Sequence, residues 1–410
     1  MKLANLRINI DRLSARIEEL AEIGAIAGGG VCRMALTDED RQGRDLVVKW
    51  MHELGLEVTV DQIGNVIGIR AGQESGRPVM TGSHIDTVAS GGRYDGNLGV
   101  LAGLEVIATL NDAEIMTRKP LGVGFFTNEE GSRFAPDMMG SGVHQGAFEL
   151  KSMLDVLDID GARVGDELDK IGYAGETSTG DFRADSYVEL HVEQGPILEL
   201  EDYEIGAVEG VQGISWNEYK ISGTANHAGT TPMRLRHDAG YVAAAISVEV
   251  RRLANEMGAN QIGTVGVTKL NPGLINVIAK EALITIDLRN TDEQKLQEAE
   301  QAMSSFIEQL CKAEGVTFSS RTLARFEPVS FDKAMVSLVA ETASTLGFRV
   351  KSMPSGAGHD AQMFAPNCPT AMIFVPSRNG ISHNVAEYTE PKHLQAGADV
   401  LLQILLQKSS

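Results

Sequence analysis

Cysteine is nearly absent: Cys32, Cys311 and Cys368 are the only three among 410 residues. An odd number without close spacing excludes a disulfide framework and a zinc ribbon. Basic residues are few, 36 against 56 acidic ones, which gives a formal charge of −20. That balance argues against nucleic acid or an anionic membrane as the main partner, because both need a basic face. It leaves room for a small anionic substrate held by one local arginine. No run of about 18 apolar residues occurs, so no transmembrane helix is expected. The opening MKLANLRINIDRLSARIEELAEIG is charged and amphipathic, with no secretory apolar core. A reducing cytoplasm is therefore the expected location. HExxH, P-loop, CxxC and GxSxG patterns are also missing, as are internal repeats and low-complexity tracts.

The 43% of apolar and 22% of charged residues are ordinary for a globular protein. At roughly 150 residues per domain, two or three domains are expected. The opening stretch reads as a helix to about Glu22, broken by Gly28-Gly29-Gly30. Thr37 with Asp40 forms a capping-box-like start for a helix ending near Gly55. LEVTVDQIGNVIGIR reads as two strands, and PVMTGSHIDTV, LGVGFFT and SYVELHVEQ as further apolar runs. NLGVLAGLEVIATL carries its apolar residues at helical spacing. Alternating strands and helices predict an α/β fold with helices on both faces of the sheet. Between about Gly213 and Glu327 the order changes to strand (ISWNEYKIS), helix, strand (IGTVGVTKL), strand (ALITIDLR), helix, strand (VTFSSRTLAR). This βαββαβ order is ferredoxin-like. It divides the chain into a larger domain, residues 1–212 and 328–410, and an inserted one, residues 213–327.

Four histidines lie at the ends of apolar runs or in adjoining loops with carboxylates close by: His84, His191, His227 and His383. In α/β sheets, ligands bind at the carboxyl ends of strands. In an extended segment Asp86 shares a face with His84 and could reach its second ring nitrogen, the arrangement that fixes a metal ligand's tautomer. Asp95 follows Gly91-Gly92 and precedes a helix, where it could equally be a cap. Glu129-Glu130 end LGVGFFT; adjacent carboxylates at a buried strand end repel one another, and a cation would relieve both. One could then bind metal and the other serve as general base; an exposed acidic loop is the alternative. His84, Asp95, Glu130, His191 and His383 are the nitrogen and oxygen donors that zinc or manganese accepts. In the insert, Asn226-His227-Ala228-Gly229-Thr230-Thr231-Pro232 is a polar turn before a helix, and Asn276 lies in a strand-like stretch after Pro272-Gly273. Arg289 ends a strand and could take a carboxylate with both arms of its guanidinium, or pair with one of the many surface acids.

Taken in order, GSHIDT, GGRYDGNLGVLAG, NEEGSRF, ELHVEQGP, NHAGTTPM, DLRNTD, SGAGHDAQMFA and NGISHN resemble the di-metal aminoacylase/carboxypeptidase superfamily. The closer resemblance is to its amidohydrolase branch: N-carbamoyl-L-amino acid hydrolases, β-ureidopropionases and allantoate amidohydrolases. It runs from about Gly55 to the C-terminus. The resemblance implies a mixed-sheet catalytic domain and an inserted lid or dimerisation domain, with two divalent ions, zinc or manganese, per subunit. It implies that His84, Asp95 and His191 hold one ion and Asp95, Glu130 and His383 the other. Glu129 would be the general base, and Asp86 would orient His84. Gln194, Asn276 and Arg289 would bind substrate, Arg289 taking its carboxylate, and His227 would polarise the scissile carbonyl in the partner subunit of a homodimer. The superfamily's peptidases generally carry an acidic residue where this chain has His191. The expected reaction is hydrolysis of a small N-carbamoyl or ureido acid to ammonia, carbon dioxide and the amino compound. A dipeptidase or N-acyl amino acid deacylase, and a non-catalytic binding protein on the same fold, are the alternatives.

Overall fold

The computed structural model describes residues 5–181, 183–258 and 260–410. Met1–Ala4 of the opening stretch lie outside them; the first helix is Ile10–Ala21, capped by the Asn9 side chain. The chain divides into two compact units, Met1–Gly210 with Ser330–Ser410, and Val211–Val329.

The first unit is built on a mixed sheet. Its order is Glu57–Val60, Val66–Arg70, Leu121–Phe125, Val79–Ser83, Ser186–Val192, Thr370–Val375, Ile205–Val211 and Val329–Ser330, with Val350–Ser355 also on Ile205–Val211. The central four strands are mutually parallel, and both flanks turn antiparallel. All residues of these four strands are buried, as expected of parallel strands covered on both faces. Helix Asn97–Asp112 is buried from Asn97 to Leu110 and packs on Val79–Ser83, and the closing helix Pro391–Ser409 packs beside it. The carboxyl ends of four parallel strands therefore share one edge, and the segments after Ser83, Phe125, Val192 and Val375 start from it.

The second unit is a separate α/β layer with its own core. Its antiparallel sheet runs Thr317–Phe326, Gly213–Ser222, Glu281–Asn290, Ile262–Thr264, with Thr268–Asn271 also pairing Glu281–Asn290. Helices Ala239–Met257 and Glu293–Glu314 pack against it, capped by Asp238 and Asp292. Ala282, Ile284, Ile286 and Leu288 alternate inward along the central strand. The run IGTVGVTKL forms two short strands instead of one. Between the pairs Thr264–Asp287 and Thr268–Ile284 three residues face two, a bulge at which the Thr285 hydroxyl accepts the Val267 N–H at 3.0 Å.

Candidate metal centre

The edge where the parallel strands end gathers the ligand candidates. His84 follows Val79–Ser83 directly, Glu129 and Glu130 lie four and five residues beyond Leu121–Phe125, and His191 lies within Ser186–Val192. Asp95 comes from the loop before helix Asn97–Asp112, and His383 from the loop after Thr370–Val375. Both buried histidines are fixed from behind. His84 Nδ1 is 2.9 Å from the Asp86 carbonyl oxygen, and His191 Nδ1 is 2.8 Å from that of Val192. Each Nε2 thus faces the carboxylates. His191 Nε2 lies 3.1 Å and His84 Nε2 3.7 Å from Asp95 Oδ1. His383 Nε2 lies 3.4 Å from Asp95 Oδ2 and 3.2 Å from Glu130 Oε2. Asp95 therefore turns one oxygen to each histidine group.

The donor atoms of His84, Asp95 and His191, and those of Asp95, Glu130 and His383, lie within 4.8 Å of one another. A third set, Glu189, His191 and His359, is equally close. There the Glu189 oxygens are engaged by the Ser83 hydroxyl and the Ala361 N–H, and His359 Nε2 sits 2.9 Å from the Ser355 hydroxyl. This third set is a supporting layer behind His191, whose ring centroid is 4.5 Å from that of His359.

Charge at the site is one-sided. Asp86, Asp95, Glu129, Glu189, Asp360 and Glu387 are all buried. Burial, then Asp360 and Glu130, push the Glu129 carboxyl well above the usual range. Burial and Asp95 raise Glu130. Burial works against ionised Asp95, yet hydrogen bonds from His191 and His383 hold it well below the ordinary carboxylate value. Burial likewise opposes a proton on His191, but Asp95 draws it up to about 9. Asp95 and Glu130 raise His383 to about 10, whereas burial lowers His84. Asp95 and Glu130 thus demand positive charge on their inner side, and two sets of nitrogen and oxygen donors face it there. This residue set fits divalent cations.

Glu129 lines the same cavity of about 100 Å³, its Oε2 3.3 Å from His84 Nε2. Asp86 differs from the sequence expectation. Its carbonyl, not its carboxylate, meets His84; the carboxylate oxygens accept the N–H groups of Glu129 and Glu130 at 3.2 and 3.3 Å. These two donors, in the turn after the neighbouring strand, point at the carboxylate, while His84 Nδ1 is 3.8 Å from its nearer oxygen. Asp95 is not a side-chain cap: the N-cap of helix Asn97–Asp112 is Gly96, and the Asn97 and Leu98 N–H groups bond the backbone carbonyls of Asp95 and Tyr94. Gln194, also at the cavity, donates from Nε2 to Asp95 Oδ2 at 2.8 Å, leaving Oε1 buried without a partner.

His227, Asn276 and Arg289 belong to the second unit. His227 is exposed, and its Nδ1 accepts the N–H groups of Gly229 and Thr230 at 3.0 and 3.2 Å. Asn276 stands next to it, its carbonyl accepting the Ala228 N–H at 2.9 Å. It lies in a turn rather than a strand; only a single bridge, His227 to Val277, joins the two segments, because Pro272 and Gly273 turn the chain just before it. Arg289 pairs with Asp287 at 3.0 Å and lies 5.7 Å over the Trp216 ring. Sequence reasoning singled out neither His359 and Asp360 nor Ser382 and Glu387. The first pair lies inside the motif SGAGHDA and Ser382 inside NGISHN, but only folding brings Ser382 and Glu387 to Asp95.

The model of Peptidase family M20/M25/M40 matches residues 80–407. An N-carbamoyl-L-amino-acid amidohydrolase of Rhizobium meliloti is 40% identical over 98% of this chain and 97% of its own. An allantoate amidohydrolase of Bacillus subtilis (strain 168) is 35% identical over 95% of each. A solved hydantoinase/carbamoylase family amidase from Burkholderia multivorans superposes with a TM-score of 0.96 at 43% identity over 98% of both chains. The parallel-strand edge, its histidines and carboxylates, and these likenesses agree: the chain belongs to peptidase family M20/M25/M40, on its amidohydrolase branch.

Proposed function

We propose that this protein hydrolyses the carbamoyl C–N bond of a small N-carbamoyl-L-amino acid, releasing ammonia, carbon dioxide and the free amino acid. The observation that carries the reading is Asp95, with one oxygen on the His84/His191 side and the other on the His383/Glu130 side. His84, Asp95 and His191 would hold one divalent ion, and Asp95, Glu130 and His383 a second; zinc and manganese both suit these donors. Bound there, the ions supply Lewis acidity, which offsets the poor electrophilicity of a ureido carbonyl. Glu129 takes a proton from the attacking water and hands it to the departing nitrogen. Its Oε2, 3.3 Å from His84 Nε2 in the same cavity, stands beside the proposed ion sites for both steps. Gln194 holds Asp95 through its Nε2 and offers its unpartnered Oε1 to the substrate.

The insert, residues 213–327, acts as lid and dimerisation domain in this reading. Two backbone donors occupy His227 Nδ1, so a neutral ring carries its proton on Nε2. That N–H is a ready donor for the carbonyl oxygen in the partner subunit's site. Arg289 takes the substrate carboxylate and Asn276 its polar flank. Tyr241 and Val248, exposed and seven residues apart on helix Ala239–Met257, lie on one side of that helix, which suits a homodimer contact through this unit. Among the described residues no helix is long and apolar enough to cross a membrane, and three free cysteines accord with a cytoplasmic location. Allantoate is the second substrate reading, favoured by the Bacillus subtilis relative.

Ammonia release by manganese-loaded protein tests this, with Glu129→Gln as blank. The panel holds N-carbamoyl-L-amino acids, N-carbamoyl-β-alanine, allantoate, N-acetyl amino acids and dipeptides. Ammonia from one ureido acid is the expected result. Free amino acid without ammonia, from acyl or peptide substrates, would overturn the reading.

A further inference from the structure

We propose that Glu387 is the positioning residue of the second ion site, locking Asp95 and His383 together; this rests on the two-ion reading above. Its carboxylate is buried and spans two loops. One oxygen accepts the N–H groups of Tyr94 and Asp95 at 3.0 and 3.1 Å, and the other lies 3.2 Å from the Ser382 hydroxyl. Ser382 Oγ is also 3.1 Å from Asp95 Oδ2. The next residue is His383, whose φ of 52° is left-handed, a conformation that neighbouring structure must hold for a non-glycine residue.

The loop is shaped to deliver this carboxylate. Asn384 accepts the Ala386 N–H with its side chain at 2.9 Å and the Glu387 N–H with its carbonyl at 3.0 Å, folding the chain back towards Asp95. On the opposite loop, Gly92 leaves the space: a Cβ there would stand 2.2 Å from Glu387 Oε1. A carboxylate is a costly anchor beside the Asp95 carboxylate. Its two oxygens, however, serve one ligand loop each, which a shorter or singly bonding side chain would not do. The His84/His191 side has separate anchors in the Asp86 and Val192 carbonyls. Loss of Glu387 therefore falls mainly on the site of Asp95, Glu130 and His383.

The test is zinc uptake by metal-stripped wild type, Glu387→Ala and Gly92→Ala in competition with a chelating dye. The visible spectrum of cobalt-loaded samples is a second readout, and far-UV circular dichroism checks the fold. The expected result is two equivalents in wild type. Both variants should keep the first and bind the second about 10–100-fold more weakly, with a changed cobalt spectrum. Two equivalents at wild-type affinity and an unchanged spectrum in both variants would overturn the role of Glu387. A wild type that takes up only one equivalent would overturn the two-ion reading instead. If Glu387→Ala fails to fold, Gly92→Ala and Ser382→Ala, which disturb the same bonds from outside the carboxylate, decide the question by the same readouts.

Discussion

Glu129 and Glu130 are adjacent in the chain yet face different partners. Glu129 turns to His84, Glu130 to His383, and the Asp86 carboxylate holds both backbone N–H groups. The proposed division into base and ligand needs this separation. Glu129→Gln should lower kcat by about 10²–10⁴-fold while metal content, read by elemental analysis, stays at the wild-type value. A variant that loses metal as well would make Glu129 a ligand. His227→Ala should lower kcat, with an unchanged circular dichroism spectrum and an unchanged sedimentation profile. Full activity would remove the carbonyl-donor role of its Nε2–H.

At the scale of elements, the site exists because four parallel strands end together, and their register depends on very close backbone approach. A Cβ at Gly82 would stand 2.2 Å from the Gly124 carbonyl oxygen on the paired strand, an obstacle of backbone that no rotamer change relieves. Gly82→Ala should cost about 1–3 kcal/mol in urea unfolding; an unchanged midpoint would show that the strands have slack. The closing helix is tied to the amino-terminal segment by Asp399, which accepts the Ile8 N–H at 2.9 Å. Burial raises this carboxyl from 3.8 to about 6. The folded chain then holds the proton more tightly than the unfolded one, so this group's contribution falls as pH rises from 3.8 to about 6. Asp399→Asn keeps an oxygen for Ile8 and removes that dependence. Its Tm relative to wild type should therefore climb between pH 4 and pH 7, and a flat difference would contradict the shift.

For the whole molecule, a core unit that buries several carboxyls near one cavity should gain stability from cations bound there. Chelation should lower Tm, and zinc or manganese at about 1,000 times Kd should restore roughly 4 kcal/mol per site. An unchanged Tm on chelation would place the metal outside the folding balance. Much of this organisation is legible along the chain. Strand-like runs ending in histidine or acid mark the sheet edge, because buried parallel strands are apolar and their polar ends stand out. The change to the order strand, helix, strand, strand, helix, strand marks the second unit. The two short strands Ile262–Thr264 and Thr268–Asn271 are not legible as two, because a bulge set by their pairing with another strand separates them.

The sequence alone marked His84, Asp95, Glu130, His191 and His383 as candidate donors and Glu129 as candidate base, in their order along the chain, since the chemistry of a side chain needs no neighbour to be read; it left Asp95 open as a helix cap and Glu129-Glu130 open as an acidic loop. Only the tertiary structure decided what each of them touches. Asp86 meets His84 through its carbonyl because two N–H groups of the next loop claim its carboxylate. Glu387, 292 residues away from Asp95 in the chain, reaches its backbone because Asn384 folds one loop back and Gly92 clears the other. Hydrogen-bond partners are chosen among groups within a few ångströms, and sequence separation carries no measure of that distance.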